Sequence, residues 1–265
     1  MNHQINRRHL LAGAGALTVS ILAPGEKARA YVATAGVASR PPLKPTRLAS
    51  YISINADGGA TAWFGKPDMG QGTDVGVAQM VAEELDLPSE RVTVVFGDTA
   101  VTLNQGGASG SFGVQAGGKA MANAAAEARL ILVEMASKKL GVPVEDLTVE
   151  NGVVIAKSDA TKRVSYGELI GGRWFDHEVE WNGEIGNFLD IKNMRAKRKD
   201  PKDYKVYGTS PPRRDVPEIV LGSSDYVVDV KLPGMLHGRT ILPPVAGAVP
   251  TKVDKNSIKG IPGVQ

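Results

Sequence analysis

The sequence predicts an α+β fold, a two-layer arrangement in which helices cover one face of a sheet. Segments with β-type alternation of apolar residues flank two segments with helical character. Two turn signals, Asp57-Gly58-Gly59 and Asn151-Gly152, each separate a pair of such segments and predict hairpins. An Ala-rich stretch over residues 114–140 indicates a long helix that packs closely on a neighbouring surface. The predicted order of elements is therefore ββαβα followed by ββ.

The first three elements follow from local signals. Residues 48–64 alternate around Asp57-Gly58-Gly59 as a hairpin does. Residues 73–87 carry apolar side chains at helical spacing, and Pro88 ends the helix because proline cannot continue it. Residues 91–96 alternate valine with other residues and predict a strand.

The remaining elements of this block are a loop, a helix and a hairpin. Residues 97–113 show no periodicity and are rich in Gly and Ser, which indicates a loop. The helix over residues 114–140 ends before Gly141, a residue that favours a helix C-terminus. Residues 147–150 and 153–157 predict the two strands of the second hairpin.

The organisation along the chain follows from changes in composition. Residues 31–46 are rich in Pro, Ala and Gly and predict an extended leader, and residues 47–171 form the α+β block. Residues 172–204 are polar and predict a solvated linker. Residues 205–265 contain short apolar segments that suggest a second, β-rich unit. The basic run at 195–199 could bind nucleic acid, but no flanking aromatic residues offer a stacking platform, so the solvated linker is favoured.

Composition and charge exclude several classes of protein. The chain has 265 residues and no Cys, which excludes a disulfide scaffold and an iron–sulfur cluster held by this chain alone. The formal net charge is +3, and residues 1–30 carry all of it. The rest of the chain is neutral, so its charge gives no reason to expect nucleic acid as a partner.

The N-terminus predicts an export signal over residues 1–30. Arg7-Arg8 precedes an uncharged, weakly apolar run over residues 10–23, and Ala28-Arg29-Ala30 fits the small-residue pattern of a signal-peptidase site. The run is too short to span a bilayer. We expect twin-arginine export to the periplasm; the alternative is a buried or disordered N-terminal helix.

Two glycine-rich segments are candidates for ligand binding. In Met69-Gly70-Gln71-Gly72-Thr73 the glycines allow close backbone approach, Thr73 is a suitable N-cap, and free N–H groups at the helix start would attract a phosphate. In the segment 104–113, backbone amides and the hydroxyls of Ser109 and Ser111 could cradle a phosphorylated cofactor. Each segment alone could equally be an ordinary connection or a surface loop. Because both precede helices of one small sheet, we expect them to converge on one ligand.

These segments together resemble the molybdopterin-binding large subunit of the xanthine dehydrogenase/aldehyde oxidase family, the molybdenum hydroxylases. The resemblance extends over most of residues 47–265 and is greatest to the branch that contains the exported isoquinoline 1-oxidoreductases and the membrane-associated aldehyde dehydrogenases. It rests on Phe64-Gly65-Lys66-Pro67-Asp68-Met69-Gly70-Gln71-Gly72, Val81-Ala82-Glu83-Glu84-Leu85, residues 92–99, Gln105-Gly106-Gly107-Ala108-Ser109-Gly110-Ser111, Lys199-Asp200-Pro201-Lys202-Asp203-Tyr204, residues 229–238 and Ile261-Pro262-Gly263-Val264.

The resemblance implies a molybdenum-cofactor-binding subunit of an oxidoreductase that hydroxylates an aldehyde or an N-heteroaromatic substrate with oxygen from water. It implies molybdopterin cytosine dinucleotide as cofactor, a small [2Fe–2S] partner subunit as electron acceptor, and a cytochrome c as a candidate further acceptor. Residues 205–265 would open an α/β hammerhead domain. The implied cofactor-binding residues are Gly70, Gln71, Gly72, Gly107, Ser109 and Ser111.

The sequence departs from the family pattern where the chemistry would occur. The family's general-base glutamate lies in a Gly-Glu-Pro-like context toward the C-terminus, and no such context is present here, so we assign no catalytic and no metal-binding residue. Glu83 and Glu84 are interpreted as the solvated face of a helix, Asp98 as a turn former and His237 as structural. His177 has no partner at metal-ligand spacing. We expect this chain alone to be inactive; the alternative function is a non-catalytic, truncated cofactor-binding module.

Overall fold

The computed structural model describes residues 40–264, so the predicted signal peptide and most of the predicted leader lie outside the described residues. The described chain divides into two compact units, a larger one that ends at Pro217 and a smaller one that begins at Glu218. Within residues 40–264 no helix is both long enough and apolar enough to cross a bilayer.

The larger unit contains a three-stranded sheet of mixed direction. Its strands are β1 (Ile52–Ile54), β2 (Ala60–Phe64) and β3 (Val92–Phe96), in that spatial order. β1 and β2 form the predicted hairpin, whereas β2 and β3 run parallel, from the pair Ala60↔Val92 to the pair Phe64↔Phe96. The parallel pairing requires a crossover, and helix α1 (Thr73–Leu85) supplies it.

The Ala-rich helix packs against α1, but it begins differently from the prediction. Residues Gly113–Gly118 form one turn of π-helix, and the α-helix proper, α2, spans Lys119–Leu140. Gly141 adopts the left-handed conformation, with φ of 66°, and closes α2 as predicted. The small side chains of α2 allow the two helices to approach closely, and its buried residues include Ala120, Ala124, Ala125 and Ala128.

The predicted second hairpin belongs to a second three-stranded sheet. β4 (Leu147–Glu150) and β5 (Val153–Ala156) pair around Asn151-Gly152, and the third strand, β6 (Asp159–Ser165), was not predicted. A short helix, α3 (Tyr166–Ile170), follows β6 directly. Further along the chain, β7 (Glu180–Trp181) and β8 (Ile191–Lys192) form a two-stranded ribbon.

The prediction that Glu83 and Glu84 face solvent was wrong. Both side chains lie at the C-terminal end of α1 and are 0% and 1% exposed. They are buried because residues 195–207, which we call the strap, lie over them: Arg198 binds Glu84 at 2.9 Å and Lys199 binds Glu83 at 3.2 Å. The basic run at 195–199 is therefore not part of a solvated linker.

The smaller unit contains no strand within residues 218–264, so the expectation of β-rich structure there was wrong. A short helix, α4 (Val216–Val220), crosses the boundary, and two single turns of 3₁₀-helix follow at Val227–Asp229 and Lys255–Ile258. The apolar residues remain exposed, as in Val227 and Ile241. An alternating segment becomes a strand only where another strand satisfies its backbone groups, and this unit offers none. The hammerhead assignment stays a prediction.

Candidate functional site

Both glycine-rich segments leave the first sheet at the same edge. We call residues 65–72, which follow β2, the first loop, and residues 104–112, which lie beyond β3, the second loop. Because β2 and β3 are parallel, Phe64 lies beside Phe96 and the chain continues from both strands at one edge. A Cβ placed on Gly113, the residue that follows the second loop, would lie 3.2 Å from Thr73 Cγ2. The chain after the second loop therefore contacts the start of α1. Both loops thus leave the sheet at one edge, and their convergence on one ligand stays a prediction.

Asp68 organises the first loop. Its carboxylate accepts hydrogen bonds from the backbone N–H groups of Gly70, Gln71 and Gly72 at 2.7, 3.0 and 3.3 Å, and from the backbone N–H of Thr73 at 2.6 Å. The Thr73 hydroxyl also donates to it, at 2.9 Å. Burial opposes ionisation of this carboxyl, but these bonds outweigh burial and lower its pKa below 3.8.

This arrangement corrects two expectations about the start of α1. The N–H groups predicted to attract a phosphate are already bound to Asp68, and a carboxylate there interacts favourably with the positive end of the helix dipole. Thr73 is the first helical residue and not the N-cap, which is Gly72 in the left-handed conformation. The first loop therefore offers a ligand its side chains and its surface, and few free backbone donors.

The side chain of Gln71 is held by its oxygen. Oε1 accepts a hydrogen bond from the backbone N–H of Met69 at 2.7 Å, which leaves the amide nitrogen as a donor for a ligand. Gln71 and Gly70 are exposed, and a Cβ on Gly70 would meet no atom within 4 Å. Beside Gly72 lies the guanidinium of Arg213, with Nε 3.0 Å from the position of a Cβ. Arg213, which sequence reasoning missed, is ion-paired with Asp215, whose carboxylate accepts from its Nε at 3.0 Å and from a terminal nitrogen at 2.5 Å.

Lys66 holds the second loop from its buried side by a hydrogen bond. This side chain is completely buried, and its Nζ donates to the carbonyl oxygen of Gly107 at 2.9 Å and to Asn187 Oδ1 at 2.7 Å. Burial lowers its pKa below the ordinary 10.5. Lys66 lies inside the family motif, but nothing in the sequence indicated that it would be buried.

Gln105, a residue of the second loop, forms a second buried contact with the first loop. Its side chain is 1% exposed, and Oε1 accepts a hydrogen bond from the backbone N–H of Gly65 at 2.7 Å. Its Nε2 is buried without a hydrogen-bond partner in the described part of the chain. Gly65 is required here, because a Cβ would lie 1.7 Å from the carbonyl oxygen of Leu103.

Gly107, Ser109 and Ser111 lie on the outer side of the second loop. All three are exposed, and a Cβ on Gly107 would meet no atom within 4 Å. Gly110 and Ser111 have φ values of 60° and 61°, and a serine held in this region indicates local strain of the kind found at ligand-binding loops. Neither serine hydroxyl hydrogen-bonds to another residue in the range 40–264.

Asp98 and His177, which the sequence analysis considered, take part in hydrogen bonds that maintain the fold. Asp98 forms a turn, as predicted: its carboxylate accepts from the backbone N–H of Ala100 at 2.9 Å, and its carbonyl oxygen accepts from Thr102. The His177 carbonyl accepts from the backbone N–H of Leu48. No group of three or more His, Cys, Asp or Glu among the described residues could hold a metal ion.

The family model described as the molybdopterin cofactor-binding domain matches residues 28–210, a range that includes both loops and the strap. The chain belongs to this family. Molybdopterin-binding members of the xanthine dehydrogenase family are molybdenum oxidoreductases, and the resemblance drawn from the sequence is thereby confirmed.

Two curated proteins, both enzyme subunits, support the same assignment. The chain is 38% identical to one subunit of the nicotinate dehydrogenase of Pseudomonas putida, over 84% of this chain and 18% of that protein. It is 28% identical to the beta subunit of the isoquinoline 1-oxidoreductase of Brevundimonas diminuta, over 98% of this chain and 36% of that protein. A solved structure of CO dehydrogenase from Oligotropha carboxidovorans shares 28% identity over 45% of this chain and 15% of that chain, with a TM-score of 0.41. The chain thus spans about a third or less of these relatives.

The residues at the shared edge fit a bound molybdopterin. Gly70 and Gly107 leave open space where side chains would project, which allows close approach of a flat ring system or a phosphate. Gln71 Nε2 and the hydroxyls of Ser109 and Ser111 supply donors suited to its polar and anionic groups. The roles of Gly70, Gln71, Gly72, Gly107, Ser109 and Ser111 in binding stay predictions.

Proposed function

We propose that the chain is the part of a molybdenum hydroxylase subunit that holds molybdopterin cytosine dinucleotide at the edge shared by the first and second loops. The enzyme would hydroxylate an aldehyde or an N-heteroaromatic substrate. The observation that carries the proposal is the convergence of the two loops, since the parallel pairing of β2 and β3 delivers both to one place. The family match gives the class of ligand.

The chain's own residues would bind and orient the cofactor. Gln71 would donate from Nε2, because its oxygen is already bound to Met69. Ser109 and Ser111 would donate hydrogen bonds from their hydroxyls to the phosphates. Asp68 would keep the first loop in shape without contacting the ligand, because its oxygens are committed to backbone N–H groups.

The bound cofactor would supply the redox centre at which a substrate carbon is oxidised with oxygen from water. Electrons would pass to a small [2Fe–2S] subunit, in agreement with the absence of Cys from this chain, and from there to an acceptor such as a cytochrome c. The general base would come from outside these residues. The relatives are named as enzyme subunits, which does not favour the alternative of a non-catalytic module.

The test is the cofactor content of the protein as the cell makes it, purified with its partner subunits. We expect molybdenum in the protein, and release of cytidine monophosphate on acid hydrolysis. Gln71→Ala and Ser109→Ala should each lower both quantities, whereas Ser89→Ala, outside both loops, should leave them unchanged. Protein without molybdenum, or full content in the loop variants, would contradict the proposal.

A further inference from the structure

Lys66 occupies an unusual position for a lysine. Its side chain is 0% exposed and connects three segments, namely the end of β2, the second loop through Gly107, and the segment 185–188 through Asn187. Space for it depends on Gly117, where a Cβ would lie 2.8 Å from both Cδ and Cε of Lys66. Three segments of the chain therefore pack around the ammonium group of Lys66, and a glycine leaves room for its side chain.

The positive charge of Lys66 has no carboxylate partner within residues 40–264. Both of its hydrogen-bond partners are neutral oxygens, and burial is the sole cause of its lowered pKa. A buried ammonium without a counter-ion is costly, and lysines are rarely found fully buried unless paired.

The charged groups on the surrounding elements are committed elsewhere or exposed. On α2 and the segment after Asn187, Lys119 and Asp190 pair with each other at 2.6 Å. Asp68 binds the backbone of the first loop, Asp98 binds its own turn, and Glu184 is exposed. None of them neutralises Lys66.

We propose that Lys66 positions the second loop for the cofactor and supplies a buried counter-charge to the cofactor's phosphates. The inference rests on the proposed function. The ammonium holds the Gly107 carbonyl on the inner side of the loop, while the hydroxyl-bearing residues Ser109 and Ser111 are exposed on it. A charge in this dry interior acts on an anion across the loop with little screening.

A second buried group points to the same ligand. Gln105 Nε2 is a donor without a partner in the described residues, although Gln105 is 1% exposed. Gln105 binds Gly65, the neighbour of Lys66 in the chain, so the ammonium without a counter-ion and the donor without an acceptor both lie on the buried side of the second loop. Buried donors normally have acceptors, and an anionic ligand on this loop would favour both.

Proton binding by Lys66 and anion binding by the loop are then coupled. A phosphate on the loop raises the pKa of Lys66, so the protonated form of Lys66 binds the phosphate more tightly. The coupling is about tenfold in affinity for each unit by which the anion raises this pKa. As pH rises through the lowered pKa toward 10.5, the cofactor should be held less tightly.

Folding stability should follow the opposite trend, which separates the proposal from a purely structural role. In the cofactor-free protein the folded state disfavours the charged lysine, so its pKa is lower folded than unfolded. The folded state binds fewer protons than the unfolded one in that interval. The contribution of Lys66 to the free energy of unfolding should therefore increase as pH rises, while retention of the cofactor decreases.

The experiment measures cofactor dissociation from the complete, cofactor-loaded protein between about pH 7 and pH 10. Molybdenum and cytidine monophosphate that remain after gel filtration give the rate. We expect wild type to release cofactor about tenfold faster at the upper end, and Lys66→Gln to release it equally fast at both ends. Lys162→Gln, an exposed lysine on β6, is the matched control and should behave as wild type.

Each outcome decides the proposal. A release rate from wild type that does not change with pH overturns it, even if Lys66→Gln does not fold. A pH dependence that survives in Lys66→Gln also overturns it. Wild-type protein that carries no molybdopterin overturns the proposed function itself. If wild type carries molybdopterin and Lys66→Gln retains it as well as wild type does at every pH, the counter-charge role alone is overturned.

Discussion

The carboxylate of Glu83 binds mainly to main-chain groups. It accepts hydrogen bonds from the backbone N–H groups of Lys205, Val206 and Tyr207 at 2.9, 2.6 and 3.0 Å, and from Lys199 Nζ at 3.2 Å. Burial opposes ionisation of Glu83, but these bonds outweigh it and lower the pKa below 4.5. One side chain on α1 thus fixes the course of the strap.

Glu83→Gln should lower the free energy of unfolding by about 2–4 kcal/mol, because an amide cannot accept all four bonds and places its own N–H groups against donors. Chemical denaturation measures the change. Glu90→Gln, an exposed glutamate, is the control and should have almost no effect.

Glu83 should also make stability depend on pH. The pKa of Glu83 is lower in the folded than in the unfolded state, so Glu83 stabilises the fold above pH 4.5 and loses this effect as pH falls through the folded pKa. If the free energy of unfolding changed equally with pH below 4.5 in Glu83→Gln and in wild type, this assignment would be contradicted.

Two glycines near the loops should respond differently to alanine. A Cβ on Gly117 would lie 2.7 Å from Phe64 Cε2, so Gly117→Ala should destabilise the fold by about 1–3 kcal/mol through overpacking. A Cβ on Gly107 would meet nothing within 4 Å, so Gly107→Ala should leave thermal stability unchanged and lower cofactor content. Thermal unfolding and molybdenum analysis of both variants check this pair. Similar melting temperatures for the two variants would refute the packing argument.

At the scale of elements, local signals predicted what depends on local sequence. The turn residues Asn151-Gly152 predicted the hairpin of β4 and β5, and Gly141 predicted the end of α2. The start of α2 differed because Gly117 and Gly118 adapt to Phe64, Lys66 and Met80, contacts that only the folded structure defines. The burial of Glu83 and Glu84 depends on residues more than a hundred positions away, so helical periodicity alone assigned them to solvent.

The candidate site shows the same division. The position of both loops at one sheet edge followed from element order, since a crossover between parallel strands must return to one edge. The candidate binding residues followed from the family resemblance. The use of the loop amides by Asp68, and the roles of Lys66 and Arg213, depend on side-chain geometry that the sequence does not encode locally.

The packing of the strap predicts resistance to trypsin. A solvated linker with the basic run 195–199 would be cleaved readily, but Arg195, Arg198 and Lys199 are bound to carboxylates of α1 and α2. We expect cleavage after Arg198 and Lys199 to be slow in wild type and about tenfold faster in Glu83→Ala/Glu84→Ala, because local opening exposes these two sites. Mass spectrometry of the fragments locates the cuts. Equal rates of cleavage in this run would show that the strap is not held.

At the scale of the whole molecule, the net positive charge lies in the N-terminal 30 residues. The twin arginine and the Ala28-Arg29-Ala30 pattern within them predict export and removal of this segment. Arg7→Lys/Arg8→Lys should trap the precursor in the cytoplasm, because the twin-arginine pathway requires the pair. Immunoblots of periplasmic and cytoplasmic fractions test this, with Lys27→Arg as a control that leaves the pair intact. Undiminished periplasmic protein in the double variant would refute this export route.

The bonds between Glu83 and the strap carry a consequence for natural variation. Because the carboxylate binds backbone N–H groups, it constrains the path of residues 205–207 and not their side chains. Across related sequences the exposed position 205 should therefore vary freely in size and charge, while positions 206 and 207 also answer to their packing and the glutamate stays fixed. Proline alone should be missing from all three, since it lacks the hydrogen that the carboxylate binds.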